Sequence, residues 1–307
     1  MKLKRIIVFL IALTLVALIL SSCADTAEPE DNSAYDNEPL LTLDEILEYA
    51  YLEIPEYITI RGEQFSTELT ELELNEMDLT DEEIVPLRYM THLTSLTLLN
   101  NQISDLTPLS GLTNLTSLVL GMNQIGDITP LAELTDLTML ALPLNQITDL
   151  TPVAGLINLE LLNLISNNEL SDLTPVAGLT NLTYLLLGDN EISDISPLAG
   201  LTNLTTLGLS HNEISDLTQL SGLTNLEWLD LSNNQISDIT PLVGLTNLTW
   251  TDLHLTGNDI DNLDLLSHFV PRLFLGFDFL LRGFRRRDVK LADEVQINVN
   301  ILFAFAA

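Results

Sequence analysis

The chain has 307 residues, with 44 Asp and Glu against 11 Lys and Arg and a formal net charge of −33. Between Ile6 and Pro271 the only basic side chains are Arg61 and Arg88. Such a chain repels phosphate backbones, which argues against nucleic acid as a partner and against lying flat on an anionic membrane. The single cysteine, Cys23, excludes a disulfide framework and a thiolate metal cluster.

Lys2, Lys4 and Arg5 precede an apolar run from Ile6 to Leu20, broken only by Thr14. That run is short for a membrane span and fits a secretory signal. Leu20-Ser21-Ser22-Cys23 resembles a bacterial lipobox, in which the cysteine is acylated and becomes the first mature residue. Residues 1–22 are therefore expected to be a lipoprotein signal peptide, with Cys23 as the lipidation site. Several acyl chains, at roughly 0.8 kcal/mol per buried methylene, would hold the protein on a membrane durably. The expected location is the extracytoplasmic face of a bacterial membrane. Residues 23–41 are rich in Asp, Glu, Pro, Asn and Ser and read as an extended acidic tether.

Residues 42–68 read as an N-terminal cap. Thr42 with Glu45 suits a capping box, and Leu43, Ile46, Leu47 and Ala50 share one helical face, predicting a short helix over about 43–53. Pro55 ends it. Tyr57 to Ile60 alternates like a strand and is expected to pair with the first coil of the repeat array.

From residue 69 to 268 one unit recurs. Leu115, Leu118, Leu120, Asn123 and Ile125 return as Leu137, Leu140, Leu142, Asn145 and Ile147, and again as Leu204, Leu207, Leu209, Asn212 and Ile214. A fixed period of this length signals a solenoid, whose repeats bury their apolar faces only against neighbours. The first unit, opened by Leu69, Leu72 and Leu74, is degenerate: Met77 stands in the Asn place.

Within a unit Leu96 and Leu98 alternate with Ser95, Thr97 and Leu99, a period of two that makes a strand with leucines inward. Asn101 recurs as Asn123, Asn145, Asn167, Asn190, Asn212 and Asn234, and an inward Asn needs partners on both amide and carbonyl. These residues form a structural ladder. Asp105-Leu106-Thr107-Pro108-Leu109 turns the chain across the back, with Thr before Pro placed as N-cap and first position. So few residues favour a 3₁₀ turn over a full α-helix.

The unit, with Ile236-Ser237-Asp238-Ile239-Thr240-Pro241-Leu242 and Gly111-Leu112-Thr113-Asn114-Leu115, resembles the leucine-rich repeats of bacterial internalins and their surface-protein relatives over about residues 69 to 260. The resemblance implies a binding module that takes a host or partner protein on the concave face. The expected fold is an α/β leucine-rich-repeat right-handed solenoid, with a parallel β-sheet on the concave face and short 3₁₀ turns on the convex face.

The variable sheet-face positions expose an apolar stripe in the middle coils. Leu99, Val119, Met122, Met139, Leu144, Leu161, Ile165, Tyr184, Leu186 and Trp228 are the candidate partner-binding residues, since contiguous apolar area and aromatics mark contact surfaces. Drift among repeats is the plainer alternative, and a passive or self-associating envelope protein the competing function.

The Asp series Asp105, Asp127, Asp149, Asp172, Asp194, Asp216 and Asp238 puts a carboxylate on every coil. A calcium ladder is conceivable, but capping of the following turn accounts for it better, so no metal or other cofactor is expected. Nor is an enzyme: His92, His211, His254 and His268 lack metal spacing, and no H-E-x-x-H, G-x-S-x-G or phosphate loop occurs.

The register slips after Asn247, with Leu253, Leu255 and Asn258 restoring it two residues late. Residues 269–307 are atypical: Arg272, Arg282, Arg285, Arg286, Arg287 and Lys290 cluster there and Phe becomes frequent. A basic cap, a membrane-touching segment and a tail of altered reading frame all fit, and no function is assigned to it.

Overall fold

A computed structural model describes residues 54–249 and 251–269. The signal segment, Cys23, the tether, the helix expected over 43–53 and residues 270–307 lie outside the described residues. The chain divides into Met1–Glu53 and Ile54–Ala307, and all the described residues belong to the second unit.

Nine parallel strands form one sheet in strict chain order. They are β3 (Glu71–Glu73), β4 (Ser95–Thr97), β5 (Ser117–Val119), β6 (Met139–Ala141), β7 (Leu161–Asn163), β8 (Tyr184–Leu186), β9 (Thr206–Gly208), β10 (Trp228–Asp230) and β11 (Leu253–His254). Each is short because only one leucine per strand points inward between two outward neighbours. Leu96 pairs with Leu118, which pairs with Leu140, which pairs with Leu162, all fully buried. Leu162 then pairs with Leu185, because Asn168 adds a residue to that coil. A typical coil buries Leu115, Leu118, Leu120, Ile125, Ile128, Leu131 and Leu134, and these merge into one core along the array. Each such side chain contributes about 2 kcal/mol, which no coil obtains without a neighbour to close it.

Between strands the chain crosses the back in 3₁₀ turns such as Thr107–Leu109, Thr129–Leu131 and Thr151–Gly155. The first, irregular coil instead crosses with a single α-helical turn, Asp81–Ile84, followed by the 3₁₀ turn Val85–Tyr89. The architecture is the leucine-rich-repeat solenoid expected from the sequence.

Two expectations are corrected. Tyr57–Ile60 (β1) does not join the large sheet; it pairs antiparallel with Glu63–Ser66 (β2) across Arg61-Gly62. Both turn residues have positive φ, 49° and 84°, the requirement of a two-residue hairpin matched to strand twist. Arg61 is held there by Glu83, at 2.9 Å, and by the carbonyl of Asp78. The hairpin's Ile58 and Ile60 enter the core.

The second concerns the turns, in which the threonine is not the cap. Thr107 is already the first 3₁₀ residue, and Asp105 Oδ1 accepts its amide hydrogen at 2.8 Å. Asp127, Asp149, Asp172, Asp194, Asp216 and Asp238 repeat this bond to the residue two places on. Turn capping is thus what the Asp series does. The threonine hydroxyl and then its amide hold Asp127, Asp149, Asp172, Asp216 and Asp238 below the ordinary carboxylate range.

Candidate interaction face

Four columns of side chains run along the concave side. The first holds Glu71, Ser95, Ser117, Met139, Leu161, Tyr184, Thr206 and Trp228 on successive strands. The second holds Glu73, Thr97, Val119, Ala141, Asn163, Leu186, Gly208 and Asp230. A third continues each strand two residues further: Asn75, Leu99, Gly121, Pro143, Ile165, Gly188, Ser210 and Ser232. The fourth comes one residue later, and its backbone is distinctive.

In this fourth column Glu76, Asn100, Met122, Leu144, Ser166, Asp189, His211 and Asn233 all have φ between 53° and 57°. The left-handed residue swings the chain off the strand so that the next one, the ladder asparagine, points inward. Asn145 shows the result: its Nδ2 donates to the carbonyls of Leu120 and Leu142, and its Oδ1 accepts the amide of Ile125. Short polar side chains tolerate left-handed φ, whereas for Met and Leu it costs about 1–2 kcal/mol. Met122 and Leu144 nonetheless occupy it, 45% and 49% exposed. The sequence marks both as candidate contact residues without revealing the strain; a column of Glu, Asn, Ser, Asp and His broken by Met and Leu is the available signal.

The ten sequence-predicted residues fall on this face in two groups. Met122, Leu144 and Tyr184 are exposed, whereas Leu99, Val119, Met139, Leu161, Ile165, Leu186 and Trp228 are half-buried. Met139, Leu161 and Tyr184 stand on adjacent paired strands, so that part of the stripe is continuous. Leu99 and Pro143 meet over Gly121, where a methyl would stand 2.9 Å from Pro143 Cγ and 3.1 Å from Leu99 Cδ1. Likewise Leu186 and Trp228 close over Gly208, with a methyl there 3.1 Å from Leu186 Cδ2 and 3.5 Å from the indole. These glycines leave the space beside them to the flanking apolar side chains. Asn163 interrupts the second column, but its Oδ1 is occupied by the amide of Ile165 at 3.1 Å. Pro143, half-buried, adds to the apolar area.

The face is polar at both ends. Glu71, Glu73 and Glu76 are exposed at the first coil. Toward the far end His211 Nε2 lies 2.9 Å from Asn233 Nδ2, and its Nδ1 lies 3.9 Å from Asp189. Trp228 packs against His254 with ring centroids 5.7 Å apart. Among the described residues no group of three or more His, Cys, Asp or Glu is placed to hold a metal ion.

A second asparagine series is not evident from the sequence as a hydrogen-bonding ladder. Asn114 donates to the carbonyl of Thr91 at 2.7 Å, and Asn158, Asn181, Asn203, Asn225 and Asn247 bond likewise to the preceding coil. This series adds to the scaffold alone.

Leucine-rich-repeat family models match residues 91–133, 180–222 and 202–260. Among solved structures, the chain is similar to an internalin (inlF) from Listeria monocytogenes, at 33% identity over 68% of this chain and 68% of that one, with TM-score 0.60. Internalin C2 from the same organism is 39% identical over 64% of this chain and 86% of its own, with TM-score 0.57. The leucine-rich-repeat ectodomain of the Arabidopsis thaliana receptor kinase GASSHO1/SCHENGEN3, solved in complex with CASPARIAN STRIP INTEGRITY FACTOR 2, is 28% identical over 62% of this chain and 24% of that one, with TM-score 0.54. No curated protein sequence matches the chain.

Proposed function

The chain belongs to the internalin family of leucine-rich-repeat proteins, and on that premise we propose that it binds a partner protein through the concave sheet face. The observation that carries this reading is the pair Met122 and Leu144. They hold large apolar side chains in solvent at backbone positions that disfavour them, beside a continuous stripe of Met139, Leu161 and Tyr184. Strain retained next to an exposed apolar surface is the pattern of a contact site. The receptor ectodomain solved with its bound factor supports the same use of the fold.

Acylation of Cys23 would hold the array at the extracytoplasmic face of a bacterial membrane, with residues 24–41 as spacer. Mass spectrometry of the exported chain checks this: a diacylglyceryl adduct on Cys23 is expected, and an unmodified cysteine overturns it.

Docking is tested by substituting Tyr184→Asp with Leu161→Asp and measuring cross-linking of the full chain to surface proteins of its own cells. Loss of cross-linked partner with an unchanged thermal melt is expected. Undiminished cross-linking refutes the face as the contact. Cross-links only between copies of this chain assign the stripe to self-association instead.

A further inference from the structure

Resting on the docking role of the concave face, we propose that the partner presents a cationic segment with an apolar centre, its basic side chains meeting the two acidic ends of that face. From β4 to β9 the first three columns contain no Asp, Glu, Lys, Arg or His. In these three columns carboxylates appear only beyond that span, as Glu71 and Glu73 on β3 and Asp230 on β10; in the fourth column Asp189 lies within it, 3.9 Å from His211. No Lys or Arg occurs anywhere on the four columns.

The coil geometry does not call for the acids at the first end. Equivalent places on the other strands hold Ser95, Ser117, Thr97 and Val119 with the same backbone pairing. The turn aspartates are different, since each caps an amide. Among the described residues no cationic side chain reaches Glu71, Glu73 or Glu76; Arg61 is engaged by Glu83. Three exposed carboxylates at one end of an apolar surface uncharged in its first three columns, with half-buried Asp230 at the other, where one oxygen is taken by Ser232, form a pattern that a basic–apolar–basic ligand complements.

The spacing fixes the ligand's scale. Seven interstrand steps of about 4.8 Å separate β3 from β10, roughly 34 Å. An extended segment of about ten residues spans that distance. The uncharged middle then receives its aliphatic or aromatic centre, against Leu144, Leu161 and Tyr184.

The test uses the full chain and three synthetic peptides of about twelve residues that share a Leu-Tyr-Leu centre and carry Lys, Ser or Glu pairs at both ends. Fluorescence anisotropy is expected to give binding in the order Lys, Ser, Glu, with the Lys peptide weakened by salt. Glu71→Gln, Glu73→Gln and Glu76→Gln together should weaken the Lys peptide about fivefold or more. Glu82→Gln, Glu133→Gln and Glu213→Gln, which remove equal charge outside the four columns, should change it less than twofold. Equal effects from the two sets, or equal binding of Lys and Ser peptides, overturn the inference. The Tyr184→Asp, Leu161→Asp variant separates the two readings. If it abolishes binding of peptides that show no charge preference, docking stands and the cationic partner falls. If it leaves the Lys peptide bound as before, the docking face itself is refuted.

Discussion

Asn123 Oδ1 accepts the amide hydrogen of Ile103, a residue of the preceding coil, at 3.1 Å. Its Nδ2 meanwhile donates to the carbonyls of Leu98 and Leu120, one on each coil. A single buried amide group thus satisfies the backbone of two repeats where the chain leaves the sheet.

Asn145→Ala should therefore destabilise the array by about 1–3 kcal/mol, since it leaves the amide of Ile125 without its partner in the interior, while the carbonyls of Leu120 and Leu142 keep their bonds from Asn123 and Asn167. Urea denaturation checks this. A broadened transition is also expected, because a break at mid-array divides a linear stack into two halves.

Asp136 occupies the place of Asn114 and Asn158 in the outer asparagine series and has no amide hydrogen to give. Asp136→Asn should supply the missing bond and stabilise the protein by about 0.5–1 kcal/mol. A thermal melt no higher than that of the parent would show that the series contributes nothing.

Leu144→Asn relieves left-handed strain at φ 56° and removes apolar surface from the stripe. Stability should hold or rise by up to about 1 kcal/mol while partner binding falls. Binding unchanged alongside the stability gain would mean that Leu144 is drift.

Asp149 is held below its ordinary value of 3.8 by the hydroxyl and amide of Thr151. A carboxylate lowered in the folded state adds stability above its unfolded pKa and loses it as pH falls through the folded value. The melting difference between the parent and Asp149→Ala should accordingly be constant at neutral pH, shrink below about pH 4 and vanish at stronger acid. A difference independent of pH would assign the effect to the turn backbone rather than to the charge.

The periodic features are legible in the sequence because each rests on a repeated local requirement. Leu96 and Leu98 alternate as a strand must, and Asn101 recurs where an inward turn needs an amide. The hairpin is not legible as such, since Glu63 to Ser66 lacks apolar alternation and Arg is an unusual occupant of a left-handed turn. The first-coil pairing expected for Tyr57 fails for a related reason: alternation shows that a segment is a strand, not which edge it meets. Positions of Leu99, Met139 and Tyr184 on one face follow from the period. The closures over Gly121 and Gly208 do not, because they depend on side chains from different coils meeting above an absent one.

Because β3 to β11 lie side by side in chain order, the distance from Glu73 to Asp230 counts whole coils. Adding or deleting one unit would move those two carboxylates by about 4.8 Å while the ladders on either side close as before. The array is in this sense a gauge with discrete settings. Its reach toward a ligand can be reset by copying a coil, whereas the chemistry at its two ends and centre changes only by point substitution.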